Sequence, residues 1–150
     1  MEGKINMDKP AKVAEVRNLV KQYGTKGFCS RVLKGIDLTV CKNDFIALMG
    51  PSGSGKTTLL NILSTIDKPT QGTVILDGQD ITKASNRELS RLRRDKIGFV
   101  FQDYNLLDTM TLQDNIALPL SLHGVDPKAC VKKSAKLAEA FGLGDHLGKY

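Results

Sequence analysis

The run Gly50-Pro51-Ser52-Gly53-Ser54-Gly55-Lys56-Thr57-Thr58 constrains this chain more than any other stretch. It fits the phosphate-binding pattern G-x-x-x-x-G-K-[ST]. An accidental match in a chain of this length arises with a frequency on the order of 1%. The context fits too. Phe45-Ile46-Ala47-Leu48-Met49 is an unbroken apolar run, as expected of a buried parallel strand. Leu59, Ile62, Leu63 and Ile66 recur at helical spacing behind the loop. Strand, glycine loop and helix are therefore expected in series.

A polyphosphate is a dense anion and needs many donors at close range. Gly50, Gly53 and Gly55 let the backbone bend around it in conformations closed to other residues. The N–H groups from about Ser52 to Thr58 are expected to point inward, joined by the positive end of the following helix. Lys56 supplies a mobile charge for the β- and γ-phosphates. The Thr57 hydroxyl is suited to a Mg²⁺ that bridges phosphate oxygens.

Composition excludes several classes. Of 150 residues, 41% are hydrophobic and 25% charged, as in ordinary soluble domains. No apolar run reaches bilayer length, and Met1 to Lys12 lacks a signal-peptide core, so a cytoplasmic location is expected. Cys29, Cys41 and Cys130 lack metal-ligand spacing, and His123 and His146 are the only histidines. Net charge is +6. Its densest cluster, Arg87, Arg91, Arg93, Arg94 and Lys96, has no interleaved aromatics. A solvated helix face is expected there rather than a nucleic-acid surface.

Residues 12–20, 32–40 and 73–76 read as strands; Ile36, Leu38 and Val40 alternate with Asp37 and Thr39. Ile97 to Phe101 reads as another buried strand. Ser85 with Glu88, and Thr111 with Asp114, have capping-box spacing. Pro119 is expected to end or kink the helix that Thr111 opens. Asp126-Pro127 opens the last helix, with Cys130, Leu137 and Phe141 expected on one face and Gly142 as its stop.

Three further features narrow the reading. Tyr23 is expected in a loop after the first strand, where an aromatic could stack on a base; Phe28 is a nearby rival. Phe99-Val100-Phe101-Gln102 places an amide beyond a buried strand. Asp103-Tyr104-Asn105-Leu106-Leu107 and Thr111-Leu112-Gln113-Asp114-Asn115-Ile116 follow directly. Together with the phosphate loop, these resemble the ATP-binding subunit of an ABC transporter, from about residue 13 to the end.

Leu63-Ser64-Thr65-Ile66-Asp67, Asp77-Gly78-Gln79-Asp80-Ile81-Thr82 and residues 101–108 are most similar to transporters of the bacitracin-resistance type. Macrolide-export and lipoprotein-release subunits share much of this pattern.

The resemblance implies an α/β fold: a P-loop NTPase (RecA-like) core with an antiparallel β subdomain and the start of a helical subdomain. Residues 1–101 would hold the β subdomain and the first part of the core. Residues 102–150 would hold the glutamine loop and the start of the helical subdomain, and the remainder would lie beyond 150. ATP and Mg²⁺ are the implied cofactors. Tyr23 would pack on adenine, and Gly50, Pro51, Ser52, Gly53, Ser54, Gly55, Lys56, Thr57 and Thr58 would hold the phosphates. Lys56 and Gln102 would serve catalysis, and Thr57 and Gln102 the metal.

The implied partners are a membrane permease and a second ATP-binding subunit, head to tail, on the inner face of the cell membrane, without nucleic acid. A soluble ATPase of this type acting on nucleic acid or ribosomes is the alternative. Two departures stand out. Asn43-Asp44 replaces the family's frequent Gly-Glu, and asparagine tolerates the left-handed turn. The glycine-rich signature, the catalytic glutamate and the switch histidine have no counterpart up to Tyr150, so these 150 residues alone are expected to hydrolyse ATP negligibly.

Overall fold

The computed structural model describes residues 10–25 and 28–150. Most of the polar N-terminal stretch, residues 1–9, lies outside them. The chain forms two compact units, one ending at Arg93 and the other running from Arg94 to Tyr150.

The first unit is built on an antiparallel sheet. Strand β1 (Lys12–Thr25) pairs with β2 (Phe28–Cys41) and with β3 (Gln71–Leu76), and β3 pairs with β4 (Gln79–Asp80). The order is β2-β1-β3-β4. Both long strands outrun the expected 12–20 and 32–40, because backbone pairing continues through polar residues without apolar support. Tyr23 therefore lies within β1, opposite Ser30, and not in a loop. On β2, Ile36, Leu38 and Val40 are half-buried while Asp37 and Thr39 are exposed, as alternation requires.

A bulge interrupts β1 between Val16 and Leu19. Asn18 takes a φ of 46°, and its N–H donates to Asp37 Oδ1 at 2.8 Å. The extra residue breaks the alternation, so Leu19, Val20 and Lys21 are buried in succession. Gly72 passes this bulge so closely that a Cβ there would lie 2.4 Å from the Asn18 carbonyl oxygen. The Asp77-Gly78 turn joining β3 to β4 has positive φ at both positions, 47° and 79°, matching strand twist.

Helix α1 (Lys56–Leu63) contributes Leu59 and Ile62 to the core with Val16, Leu19, Val20, Leu33 and Val74. Full burial of one such side chain contributes about 1.5–3 kcal/mol. Helix α2 (Asn86–Lys96) opens on the expected reciprocal cap: Ser85 N–H donates to Glu88 Oε2 at 2.7 Å, and Glu88 N–H to Ser85 Oγ at 3.3 Å. Arg87, Arg91, Arg94 and Lys96 are exposed along it. Arg93 departs from the expected solvated face. It is half-buried and donates to the Thr65 carbonyl oxygen at 2.7 Å, tying α2 to the bend after α1.

In the second unit, α3 (Leu112–Leu122) packs against α4 (Pro127–Ala140), followed by a 3₁₀ turn at Gly144–His146. The first-turn amides of α3 are fully accounted for. Leu112 and Gln113 donate to the carbonyls of Lys149 and Leu147, at 2.8 and 3.0 Å. Asp114 N–H donates to Thr111 Oγ1 at 3.1 Å, completing the expected capping box. Asp126 caps α4 with Pro127 at its start, and Gly142, at a φ of 70°, follows its end.

Further expectations about elements need correction. Residues 45–49 form no strand; Phe45 and Met49 are 98% and 90% exposed. Residues 97–101 form none either, and Val100 is 95% exposed. A buried parallel strand needs hydrogen-bonded neighbours and helices on both faces. Among the described residues, neither segment joins a ladder.

Of the two outcomes expected at Pro119, the helix end is excluded, because α3 continues to Leu122. The ring removes a single interior bond, and the next turn closes through bonds such as His123 N–H to the Pro119 carbonyl at 3.2 Å. On α4 the buried stripe is Cys130, Ser134 and Ala138, while Leu137 and Phe141 are 50% and 74% exposed. α3 packs on α4 and its buried residue is the small Ala117, so close approach of the helices favours small side chains over large ones.

Candidate nucleotide site

The glycine loop adopts the conformations its residues permit. Gly50, Gly53 and Gly55 have φ values of 151°, 78° and 94°. Gly55 is the left-handed N-cap of α1 and offers no side chain to the helix. The first amide bonded inside α1 is that of Leu59, to the Gly55 carbonyl at 2.9 Å. The amides of Lys56, Thr57 and Thr58 thus precede the helical ladder, as donors suited to an anion.

Gly55 is also sterically fixed, since a Cβ there would meet Leu33 Cδ2 at 2.8 Å and Val32 Cγ1 at 3.2 Å. Lys56 curls back over the loop. Its Nζ donates to the carbonyls of Pro51 and Gly50 at 2.8 and 2.9 Å, and to Ser54 Oγ at 3.4 Å. Ser52, Ser54 and Thr57 are exposed. Three glycines at positive φ, a run of donors and one ammonium above them fit the phosphate chain of a nucleotide.

Tyr23 is tied to the segment that follows the same helix. Its hydroxyl donates to Asp67 Oδ2 at 2.7 Å, just past the C-terminus of α1. Burial pushes the phenol up, and the Asp67 carboxylate adds to the rise, while Thr58 acts the other way. The ring is 42% exposed, and the Lys21 ammonium lies over it, 4.7 Å from the centroid. Lys21 Nζ also reaches Asp67 Oδ1 at 2.6 Å and the Lys68 carbonyl at 2.7 Å. Desolvation raises the Asp67 carboxyl, but the Lys21 ammonium, the Tyr23 hydroxyl and the Lys68 N–H outweigh it and hold it below the usual carboxylate range.

Residues 50–58 and Tyr23 thus gather around α1 in the first unit. Gln102 belongs to the second unit, where it is exposed on a turn after 97–101. Phe28, the rival aromatic, is 90% exposed at the hairpin tip, opposite Thr25.

Sequence reasoning passed over Lys21, Asp67 and Asn115. Asn115 clamps the loop behind Gln102: Oδ1 accepts from Leu107 N–H at 2.9 Å, and Nδ2 donates to the Leu107 and Met110 carbonyls at 2.9 and 3.2 Å. An asparagine in a helix's first turns, where its propensity is poor, was the available signal. For Asp67 there was none, because it is 44 residues from its tyrosine partner.

A family model described as ABC transporter matches residues 33–149. The bacitracin export ATP-binding protein BceA of Halalkalibacterium halodurans is 46% identical over 138 residues, covering 92% of this chain and 54% of that protein. The macrolide export ATP-binding/permease protein MacB of Marinobacter nauticus is 41% identical over 138 residues, covering 92% of this chain and 21% of that protein. The chain thus spans about half the length of BceA and about a fifth of that of MacB. Among solved structures, the ATP-binding cassette MJ0796, a dimer in a post-hydrolysis state bound to ADP and Pi, is similar with a TM-score of 0.83 and 34% identity. That match covers 91% of this chain and 60% of the cassette.

Proposed function

Since this chain belongs to the ABC transporter family, we propose that it is the nucleotide-gripping part of a transport ATPase, acting in export or detoxification of peptide antibiotics of the bacitracin kind. The observation that carries this reading is the loop at residues 50–58, with its glycines at positive φ and Lys56 poised above them.

Each residue has a physical role. The loop amides and the first turn of α1 cradle the β-phosphate. Lys56 exchanges its bonds to the Gly50 and Pro51 carbonyls for phosphate oxygens, which carry full negative charge and bind an ammonium more strongly. Thr57 and Gln102 would hold Mg²⁺, which when bound offsets charge on the transferring phosphoryl group. Tyr23 offers its ring to adenine. Gln102, exposed beyond an apolar segment, would also report on the permease.

The partners would be a membrane permease and a second copy of the ATP-binding subunit, head to tail, at the cytoplasmic face. Support comes from the export roles of BceA and MacB and from the dimeric MJ0796 cassette. Among the described residues no helix is long and apolar enough to cross a membrane.

Calorimetric titration of the natural full-length polypeptide with MgATP tests the site. Lys56→Ala should weaken binding about a hundredfold. Unchanged affinity would exclude the loop as the phosphate site. Affinity purification should recover a membrane permease; recovery of RNA or ribosomes instead would contradict the transport reading.

A further inference from the structure

We propose that Asp67 and Lys21 are positioning residues for base recognition: they fix the Tyr23 ring so that a single face remains for the purine. This rests on the reading of Tyr23 as the adenine platform.

The ring sits near the end of β1, at 42% exposure, and an aromatic so placed would sample several rotamers if it were unanchored. The Asp67 carboxylate, accepting from the Tyr23 hydroxyl at 2.7 Å, removes that freedom. Asp67 is itself immobile. Its Oδ1 accepts from Lys21 Nζ at 2.6 Å and from Lys68 N–H at 2.7 Å, and its own N–H donates to the Asn61 carbonyl of α1 at 3.0 Å. Lys21 is 9% exposed overall, so its ammonium is held in a largely desolvated place.

That ammonium lies over the ring, which closes one face of it to a base and attracts the ring's negative π-surface. The remaining face is where an adenine can stack. Because the Asp67 N–H is bonded to the Asn61 carbonyl, the platform is keyed to α1, the helix whose first turn faces the phosphates. Base and phosphate recognition thereby share one rigid helix. The benefit is preorganisation: a ring already held does not lose rotamer freedom when the nucleotide arrives.

The test compares Tyr23→Ala, Tyr23→Phe and Asp67→Asn in the full-length polypeptide. Calorimetry is run with MgATP and with magnesium tripolyphosphate, which has the phosphates and no base. Tyr23→Ala should weaken MgATP binding about tenfold or more. Tyr23→Phe and Asp67→Asn should each weaken it about three- to tenfold, and the double variant should be no worse than either single one. Tripolyphosphate affinity should stay within about twofold throughout.

If Tyr23→Ala weakens MgATP while Tyr23→Phe and Asp67→Asn bind like the parent, the anchoring is overturned and the platform stands. If Tyr23→Ala itself binds MgATP normally, both ideas fail. Equal losses for MgATP and tripolyphosphate in Asp67→Asn would mark Asp67 as merely structural and overturn the proposal. Should Asp67→Asn fail to fold, Tyr23→Phe decides, since it deletes the same hydrogen bond and leaves the Lys21–Asp67 pair.

Discussion

Lys56 and Gly55 show how little latitude single residues have in this site. Gly55 combines a φ of 94° with side chains of Leu33 and Val32 at its back. A Gly55→Ala substitution should cost about 1–2 kcal/mol from backbone strain alone, before any clash. Denaturant unfolding of the full-length polypeptide would measure it, and a loss below a few tenths would contradict the strained geometry.

The Tyr23–Asp67 contact makes a pH prediction. Asp67 is depressed in the fold, so its contribution is present above its ordinary value of 3.8 and is lost as pH falls through the lower folded value. Tyr23 is raised, so its contribution is intact below 10.0 and is lost as pH rises through the higher folded value. Tyr23 ultraviolet absorbance should therefore titrate above the ordinary phenol range, and the shift should shrink in Asp67→Asn. An unshifted phenol in the parent chain would refute the contact. The glycine loop was legible because its pattern is contiguous. The Tyr23 anchor was not, because a partner distant along the chain leaves no periodic trace.

Elements with strong local chemistry were legible to within a few residues. Both capping boxes and the Asp126-Pro127 helix start depend on neighbours within one turn of chain. Elements that depend on remote partners were not: residues 45–49 and 97–101 carry strand composition and join no ladder among the described residues. Leu137 and Phe141 misled for a related reason, because helical spacing identifies a stripe but not which stripe a neighbouring helix selects.

The Thr111 cap gives a prediction at this scale. Thr111→Ala should destabilise α3 by about 1 kcal/mol, with faster hydrogen exchange at the amide of Asp114. Thr111→Ser should restore protection. Unchanged exchange in the alanine variant would deny the cap its role.

At the scale of the whole molecule, the family fold is shared with the MJ0796 cassette, yet large apolar side chains face solvent in each unit. Phe45 at 98%, Val100 at 95% and Met49 at 90% exposure are far from the pattern of a self-sufficient surface. The 150-residue chain by itself should bind a hydrophobic dye strongly and associate in sedimentation. A monodisperse, dye-silent monomer with a single sharp melt would contradict that.

The central claim is that residues 50–58 hold a nucleotide's phosphates, and crystallography tests it most directly. Crystals of the full-length polypeptide grown with magnesium and a non-hydrolysable ATP analogue should show the β-phosphate inside the loop. The Lys56 ammonium should then have left the Gly50 and Pro51 carbonyls for the phosphate oxygens. A loop without phosphate density, with the analogue bound elsewhere, would contradict the account.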